Sequence, residues 1–313
     1  MYKVLVTDKV HEEGLNILKR NGFEVVVDLD AYRPEVLKER IKGFDVLIVR
    51  SRTKVRREVI EAADRLKVIA RAGSGLDNID LEAAREKGIK VVNAPDALKN
   101  AVAELVIAMM IVVARKAMYS YRALLEGKWE KVMGTEIAGK KLAVIGFGRI
   151  GREVTKKARE LGMDVIAYDV IDMSDVAEEL GAKFTKDLIE AIRDADFVTL
   201  HVPLTPETRN LINKDVIEKM KDGVIIINAA RGEVMDYKAL LEALESGKVG
   251  GAALDVYPEE PPQSEYLLKL IRHPNVFATA HIGAQTKEAQ RRTSIEIAHR
   301  ILQALGIERG EVT

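Results

Sequence analysis

Short runs of apolar, β-branched residues alternate with segments of helical periodicity along the whole chain. The first series comprises "KVLVTD", the amphipathic "HEEGLNILKRNG", "FEVVVD", "DVLIVR", "VIARAG" and "KVVNAP". A second series comprises "KLAVIG", "DVIAYD", "DFVTLHV", "GVIIINAA", "GGAALDV" and "NVFATAH". Apolar strands separated by helices are typical of parallel sheets that are covered on both faces. The sequence therefore predicts an α/β fold with two doubly wound parallel-sheet domains.

The break between the two series falls near "NAPDALKN", where Pro95 ends a strand. No linker rich in glycine, serine or proline is present, which predicts that tight hinges join the domains. The most apolar run, "AVAELVIAMMIVVA", follows the break and is interrupted by Glu104. It is shorter than the ~20 residues that a membrane span needs. We therefore expect a helix buried in a core or a subunit interface.

The composition is that of a soluble globular protein, with 47% hydrophobic and 31% charged residues among 313. Lys plus Arg and Asp plus Glu number 49 each, so neither nucleic acid nor a membrane surface is an expected partner. The lack of cysteine removes thiolate chemistry and Cys-ligated metals, and no metal site is expected. The lack of cysteine and an N-terminus without a signal-peptide pattern together favour the cytoplasm. The many charged residues hint at a thermophilic source.

Three glycines, Gly146, Gly148 and Gly151, form the pattern G-x-G-x-x-G in "VIGFGRIG". An apolar strand leads into the pattern, a helix leaves it, and Asp169 ends the next strand 18 residues after Gly151. Such glycines let a pyrophosphate approach the backbone and the helix N-terminus, and the carboxylate accepts a hydrogen bond from a ribose hydroxyl. An acidic Asp169 would repel a 2′-phosphate, so the expected cofactor is NAD. The alternative is a structural glycine turn followed by a surface aspartate.

Histidine is the natural proton carrier near neutral pH, and the chain contains five. His281, in "FATAHIGAQT", ends an apolar strand, so we expect it at the carboxyl end of a sheet, where open α/β sheets bind ligands. It is the candidate general acid/base, with a structural role as the alternative. His201 ends "TLH" and is expected to be structural or to flank the cofactor. The remaining three are expected at the surface or in a turn: His11, His273 and His299.

Two further charged residues follow strands of the second series. Arg231 comes after "GVIIINAA". Glu260 comes after "GGAALDVYPE", a few residues beyond the apolar strand with which that segment begins. An arginine at the end of a buried strand is costly unless it meets an anion. A glutamate beside His281 would orient the imidazole and stabilise its protonated form. An interdomain salt bridge is the alternative, but three such residues at three strand ends favour a catalytic trio.

At this point the chain resembles the D-2-hydroxyacid dehydrogenases. The matching segments are "VIGFGRIG", "HVPLTPETRNLIN", "NAARGEVMD", "LDVYPEEPP" and "TAHIGAQT", with "RAGSGLDNID" and "NAPDALKNAVAE" before them. The resemblance implies a flavodoxin-like substrate-binding domain formed by residues 1–97 plus 286–313. It also implies a Rossmann NAD-binding domain formed by residues 98–285.

The resemblance implies roles for the site residues. Arg231 is expected to bind the substrate carboxylate, His281 to exchange the hydroxyl proton, and Glu260 to support His281. The backbone of "AGSG" is expected to donate hydrogen bonds to the same carboxylate: Ala72, Gly73, Ser74 and Gly75. Around NAD, beside the three glycines and Asp169, we expect Arg149, Ile150, Val102, His201, Val202, Pro203, Ala229, Asp255 and Gly283.

The segment "RSRTKVRR", residues 50–57, places five cations in eight residues. Arg50, Ser51 and Arg52 follow the strand "DVLIVR" and are expected beside the substrate. "RSRT" resembles the 3-phosphoglycerate dehydrogenase branch of the family, and a substrate phosphate needs convergent cations and hydroxyls. The alternative is that Arg50 and Arg52 form surface ion pairs.

The expected reaction is therefore NAD-dependent oxidation of 3-phospho-D-glycerate, the entry to serine synthesis. The alternatives are a glyoxylate or hydroxypyruvate reductase of the same family and a NAD-sensing binding protein similar to co-repressors of this fold. The apolar helix after Asn100, with Trp129 in "EGKWEKVMG", resembles the family's dimerisation region and predicts a homodimer. The chain stops soon after its last helix, so a regulatory serine-binding domain is not expected.

Overall fold

Two compact units make up the chain in the computed structural model, which describes residues 1–307. The first unit comprises Met1–Leu98 and the segment that begins at Ala284, and the second is Lys99–Gly283. Each unit contains one parallel sheet covered by helices, as the alternation of strands and helices predicts. The predicted fold class is confirmed. Residues 308–313 of the predicted substrate-binding domain lie outside the described residues.

The sheet of the first unit has the flavodoxin-like order β2-β1-β3-β4-β5. Its strands are β1 (Lys3–Val6), β2 (Glu24–Val27), β3 (Val46–Val49), β4 (Val68–Arg71) and β5 (Lys90–Asn93). The helices, numbered along the whole chain, are α1 (Glu12–Arg20), α2 (Pro34–Arg40), α3 (Arg57–Ala62), α4 (Leu81–Glu86) and, after the second unit, α13 (Lys287–Ala304). The strand order reverses between β1 and β3. The loops that leave these two strands therefore lie at the topological switch point, where open sheets bind ligands.

Burial on both faces explains why these strands are almost continuously apolar. Val4 of β1 faces a layer that contains Leu18 of α1 and Ile297 of α13, whereas the next residue, Leu5, faces a layer that contains Ile60 of α3. Successive side chains of a strand point to opposite faces. A sheet with helices on both sides thus requires apolar residues at every position of its central strands.

The sheet of the second unit has the order β12-β11-β10-β9-β6-β7-β8, a Rossmann order with one additional strand. Its strands are β6 (Lys141–Ile145), β7 (Asp164–Tyr168), β8 (Lys183–Thr185), β9 (Phe197–Leu200), β10 (Val224–Asn228), β11 (Val249–Leu254) and β12 (Val276–Ala278). Its helices are α5 (Lys99–Ala114), α6 (Ala117–Leu125), α7 (Arg149–Glu160), α8 (Ser174–Glu179), α9 (Leu188–Ile192), α10 (Lys214–Glu218), α11 (Tyr237–Ser246) and α12 (Glu265–Arg272), and Gly232–Val234 forms a 3-10 turn. The switch point of this sheet lies between β6 and β9.

The apolar helix α5 packs against α7 and lies over β10 and β11. Its buried side chains cover a broad face of the helix, whereas Glu104, Ala108 and Ile111 are exposed along one narrow side, which is typical of a helix that is largely enclosed in a core. Within residues 1–307, no helix has both the length and the apolar character that crossing a membrane requires.

Candidate active site

The glycine pattern forms the turn between β6 and α7, at the switch point of the second sheet. Gly146 has φ +95°, and a Cβ there would lie 2.7 Å from the carbonyl carbon of His201. A Cβ on Gly151 would lie 2.1 Å from the Gly146 oxygen. These two glycines are therefore required by the protein's own packing.

Gly148 differs from its two neighbours in the pattern. Its φ is −73°, which any residue adopts, and a Cβ there would meet nothing within 4 Å. It precedes Arg149 and Ile150 at the exposed N-terminus of α7, where backbone N–H groups and the helix dipole attract an anion. Open space in front of this glycine fits a pyrophosphate that approaches the backbone.

Asp169 ends β7 beside this turn. Its carboxylate accepts hydrogen bonds from the N–H groups of Phe147 at 2.8 Å and Ile171 at 3.1 Å. The first bond ties the carboxylate directly to the glycine turn. The neighbouring Val170 and Ile171 are exposed and uncharged, so nothing cationic flanks the carboxylate on that side to receive a 2′-phosphate. This chemistry fits a ribose with two free hydroxyls, as in NAD.

His201 follows β9 on the other side of the switch point. Its Nε2 lies 3.0 Å from the Thr199 hydroxyl, and its backbone N–H donates to the Ile145 oxygen at 2.7 Å. Burial lowers the pKa of His201 to about 3, so its imidazole is neutral at physiological pH. His201 is thus unsuited to proton exchange. The next two residues, Val202 and Pro203, continue along the same edge, where the Pro203 carbonyl accepts from Thr208.

His281 and Glu260 form a hydrogen-bonded pair. The Nδ1 atom of His281 lies 2.8 Å from Oε2 of Glu260, whose Oε1 accepts from the Tyr257 N–H at 3.1 Å. Burial alone would raise the pKa of Glu260, but the hydrogen bond and charge of His281, the Tyr257 N–H and the charge of Arg231 outweigh it and lower that pKa. Because the ionised Glu260 carboxylate occupies Nδ1 of His281, the second ring nitrogen, Nε2, remains available to a substrate.

The backbone of His281 is held in a left-handed conformation, with φ +52°. This conformation is costly for a residue other than glycine, and it persists where the surroundings enforce it. The enforcing residue is Asp255, which is 1% exposed. Its main-chain oxygen accepts from the His281 N–H at 2.8 Å, and its carboxylate accepts from Thr279, Ile282 and Gly283 at 2.6–2.9 Å.

The family resemblance places Asp255 among the residues expected around NAD, and the structure shows that its carboxylate organises the loop that carries His281. Gly283, in the same loop, approaches Val102 at the start of α5. A Cβ on Gly283 would lie 3.4 Å from Val102 Cγ2 and 3.2 Å from Asp255 Oδ2. The predicted cofactor residues Val102, Asp255 and Gly283 are therefore neighbours.

Arg231 follows Ala229 and Ala230 at the end of β10, and the structure brings it together with Glu260 and His281. Gly232 packs tightly against the backbone of Tyr257. A Cβ on Gly232 would lie 2.0 Å from the Tyr257 carbonyl carbon. The Arg231 Nη1 donates to the Ala230 oxygen at 2.7 Å, and its charge contributes to the lowered pKa of Glu260. The three charged residues thus leave the carboxyl ends of β10, β11 and β12, which are adjacent strands.

In the first unit, a buried carboxylate organises the loop after β3. Asp8, which is 4% exposed, accepts from the Arg50 N–H at 2.7 Å, the Thr53 hydroxyl at 2.7 Å and Arg52 Nε at 3.1 Å. The Arg52 guanidinium lies 3.9 Å from the Tyr32 ring centroid, and its Nη2 donates to two carbonyl oxygens. Arg52 is therefore largely engaged within the protein.

Arg50 is in a different position. Its Nη1 donates to the Lys9 carbonyl oxygen at the long distance of 3.4 Å. Burial lowers the pKa of Arg50, while the charge of Asp8 opposes this effect. A cation that is partly desolvated and weakly hydrogen-bonded is suited to an anionic ligand. Ser51, between the two arginines, is exposed.

The "AGSG" loop follows β4 in the same sheet. The N–H groups of Ala72 and Gly73 donate to Val49 and Arg71 oxygens, each at 2.8 Å. Among the described residues, no backbone carbonyl accepts from the N–H groups of Ser74 or Gly75. Of the four residues of this segment, Ser74 and Gly75 are therefore the two whose N–H groups are not engaged by the backbone of the described chain.

Arg71 is a residue that the sequence interpretation missed. It ends β4, and a Cβ on Gly73, whose φ is +156°, would lie 1.4 Å from Arg71 Nη1. The guanidinium therefore lies over the "AGSG" loop. The signal that selected Arg231, a basic residue at the end of a buried strand, also applies to Arg71. Asp8 and Tyr32 were missed as well, and their importance appears only in the folded chain.

Within residues 1–307, the structure has no group of three or more His, Asp or Glu side chains placed to hold a metal ion. The groups that this chain itself brings to the chemistry of the candidate site are the histidine, the carboxylates and the arginines described above.

Comparison with known proteins agrees with this geometry. Residues 107–283 match the model of the D-isomer specific 2-hydroxyacid dehydrogenase NAD binding domain. The chain is 49% identical over 314 residues to D-3-phosphoglycerate dehydrogenase of Methanocaldococcus jannaschii, of which it covers 58%. It is 48% identical over 308 residues to a hydroxypyruvate reductase of Thermotoga maritima, covering 98% of this chain and 99% of that one. A solved structure from Thermus thermophilus superposes with a TM-score of 0.87 at 36% identity, covering 99% of this chain and 100% of that one.

The chain therefore belongs to the D-isomer specific 2-hydroxyacid dehydrogenase family, whose members are NAD-dependent oxidoreductases. The predictions of the family, of the enzyme class and of NAD as the cofactor are confirmed at this level. The chain spans little more than half the length of several curated relatives, including those from Methanocaldococcus jannaschii and Archaeoglobus fulgidus.

Proposed function

We propose that this protein interconverts 3-phospho-D-glycerate and 3-phosphohydroxypyruvate with NAD. The observation that carries the proposal is the meeting of Arg231, Glu260 and His281 at three adjacent strand ends, in the unit that also holds the glycine turn. A carboxylate-binding cation, a proton carrier and a cofactor turn are the three elements that oxidation of a 2-hydroxy acid needs.

The proposed mechanism uses His281 as the general acid/base. NAD, held by the glycine turn and Asp169, would supply the hydride acceptor for the carbon that carries the hydroxyl group. His281 removes the hydroxyl proton through Nε2, and Glu260 on Nδ1 stabilises the imidazolium that forms. Arg231 holds the substrate carboxylate and stabilises charge on the reacting oxygen. In the reverse direction, protonated His281 returns the proton to the carbonyl oxygen of the keto acid.

The proposed phosphate preference rests on the loop after β3. Arg50 lies at the switch point of its sheet, and its guanidinium makes one long hydrogen bond to Lys9. The Asp8 carboxylate fixes this loop by accepting hydrogen bonds from the Arg50 backbone N–H and from the Arg52 side chain. We infer that Arg50 and Ser51 contact the phosphate, whereas Arg52 mainly holds the loop in shape.

The test compares reduction of 3-phosphohydroxypyruvate, hydroxypyruvate and glyoxylate, followed by the loss of NADH absorbance. We expect the highest kcat/KM for the phosphorylated substrate. Arg50→Ala should lower that value by at least about tenfold and leave the value for hydroxypyruvate nearly unchanged, because a charge-assisted contact contributes about 1.5–3 kcal/mol. Arg56→Ala, which removes an exposed cation near the end of the same segment, is the matched control.

The second candidate function is reduction of hydroxypyruvate or glyoxylate without a phosphate. The observation in its favour is the Thermotoga maritima relative named hydroxypyruvate reductase, which matches this chain over nearly its whole length. Equal turnover of phosphorylated and unphosphorylated substrates, unaffected by Arg50→Ala, would select this candidate over the first.

We also propose that the protein acts as a homodimer in the cytoplasm. An apolar patch is exposed on α6 and the segment after it, formed by Tyr121, Leu124, Leu125, Trp129 and Met133. Trp129 is 82% exposed, which is unusual for a large aromatic side chain. A second copy of the chain that covers this patch would remove it from water.

A further inference from the structure

Two tyrosines are buried beneath the strand ends that carry the candidate catalytic residues. Tyr237 begins α11 and is 2% exposed, and Tyr257 follows β11 and is 6% exposed. Their ring centroids lie 6.3 Å apart. Each ring fills space in the core, as a phenylalanine would. What distinguishes them from phenylalanine is the hydroxyl group, and both hydroxyls have partners in the loops of the active site.

The hydroxyl of Tyr257 connects two loops. Its single O–H hydrogen is shared between the carbonyl oxygens of Thr279 at 3.0 Å and Leu254 at 3.2 Å. Leu254 ends β11, and Thr279 stands two residues before His281. The backbone N–H of Tyr257 donates to Glu260 Oε1. One residue therefore holds both members of the His281–Glu260 pair.

The hydroxyl of Tyr237 connects a different pair of loops. It donates to the Val256 carbonyl oxygen at 2.5 Å and accepts from Asn228 Nδ2 at 3.2 Å. The same Asn228 nitrogen donates to the carbonyl oxygen of Arg231 at 2.9 Å. Tyr237 thus joins the loop after β10, which carries Arg231, to Val256 in the loop after β11, and none of these partners lies in the loop of His281.

The chemistry of both hydroxyls is suited to a permanent structural role. Burial raises the pKa of Tyr237 and that of Tyr257, so both remain protonated donors throughout the neutral range. Their main partners are main-chain carbonyl groups, whose acceptor character does not change with pH. A buried hydroxyl with such partners fixes the distance between the segments that it joins.

We propose that Tyr257 and Tyr237 are positioning residues with separate tasks: Tyr257 holds His281 against Glu260, and Tyr237 holds the loop of Arg231. This inference rests on the proposed roles of His281 in proton exchange and of Arg231 in carboxylate binding. Neither tyrosine touches the reacting atoms. A displacement of the loops by a fraction of an ångström is enough to disturb reactions that depend on orientation.

The experiment compares Tyr257→Phe with Tyr237→Phe, because each variant is the matched control for the other. Both remove one buried hydroxyl and keep the ring. In Tyr257→Phe we expect kcat for the keto acid to fall by about tenfold or more with little change in KM, since proton exchange is disturbed. In Tyr237→Phe we expect KM to rise by about tenfold with kcat within about twofold, since carboxylate binding is disturbed.

A second measurement does not depend on turnover. With isotope-labelled histidine, the ring nitrogen resonances of His281 are assigned by their loss in His281→Gln. We expect these resonances to move in Tyr257→Phe and to stay in place in Tyr237→Phe. If the wild-type protein reduces no keto acid, the proposed function fails, and the resonances still decide whether Tyr257 positions His281.

Several results would overturn the inference. Equal kinetic effects in the two variants, or none in either, would show that the hydroxyls have no separate tasks. Unchanged His281 resonances in Tyr257→Phe would show that the Tyr257 hydroxyl does not position His281. A Tyr257→Phe protein that does not fold also counts against it, because the hydroxyl would then be needed for folding rather than for positioning.

Discussion

At the scale of single residues, the two histidines at strand ends have opposite properties. Burial holds the pKa of His201 at about 3, below the 6.5 of an ordinary histidine, so unfolding is accompanied by proton uptake between these values. The stabilisation is complete above pH 6.5 and is lost as the pH falls toward 3. We expect the free energy of unfolding to fall over this range more steeply in the wild type than in His201→Gln. Urea unfolding at several pH values measures the difference, and parallel curves would contradict the assignment.

Glu260 also has a lowered pKa, and because it is an acid, the folded chain favours its ionised form. That form stabilises the folded chain at pH values above the ordinary 4.5, and this contribution disappears as the pH falls through the lowered value. The side chain is 39% exposed, so the contribution is small. We expect Glu260→Gln to be less stable than the wild type at neutral pH, with a gap that closes as the pH falls below 4.5. Urea unfolding measures the gap, and Glu35→Gln, at an exposed position of α2, is the control that should show none.

At the scale of elements, the glycine turn separates requirements of packing from requirements of binding. A methyl group on Gly151 would meet the Gly146 oxygen at 2.1 Å, whereas one on Gly148 would enter open space. We expect Gly151→Ala to destabilise the fold by about 1–3 kcal/mol. Gly148→Ala should keep the wild-type Tm and weaken NADH binding by at least about tenfold, since the methyl group occupies the space of the pyrophosphate. Thermal unfolding and NADH fluorescence titration measure both effects, and unchanged NADH affinity in Gly148→Ala would exclude the expected cofactor position.

The elements also show how far the sequence interpretation extends. The strands and the glycine turn follow from the apolar runs and from the glycine, proline and polar residues that end them. The segment "RSRT" was correctly placed at a strand end. The contact of Arg52 with Asp8 and Tyr32 was not predicted, because these residues are separated by tens of positions in the chain. Arg71 was missed although it carried the same signal as Arg231.

At the scale of the whole molecule, the apolar patch on α6 and the segment after it predicts the assembly. A glutamate in a buried apolar interface is strongly unfavourable. We therefore expect the wild type to sediment as a dimer and Leu125→Glu as a monomer. Leu81→Glu, at an exposed leucine of the first unit, is the matched control and should remain dimeric. A wild-type monomer, or a Leu125→Glu dimer of unchanged stability, would show that the patch has another purpose.

The sequence by itself determined the fold class, the cofactor turn and the choice of Arg231, Glu260 and His281 as candidate catalytic residues, because these depend on local patterns: strand periodicity, glycine spacing and charged residues at strand ends. The tertiary structure alone decided which of these groups meet and in what state. Strand order brings β10, β11 and β12 together, burial keeps His201 neutral, and Asp255 imposes the left-handed backbone of His281. Each of these effects depends on contacts between residues distant in the chain, which no local pattern encodes.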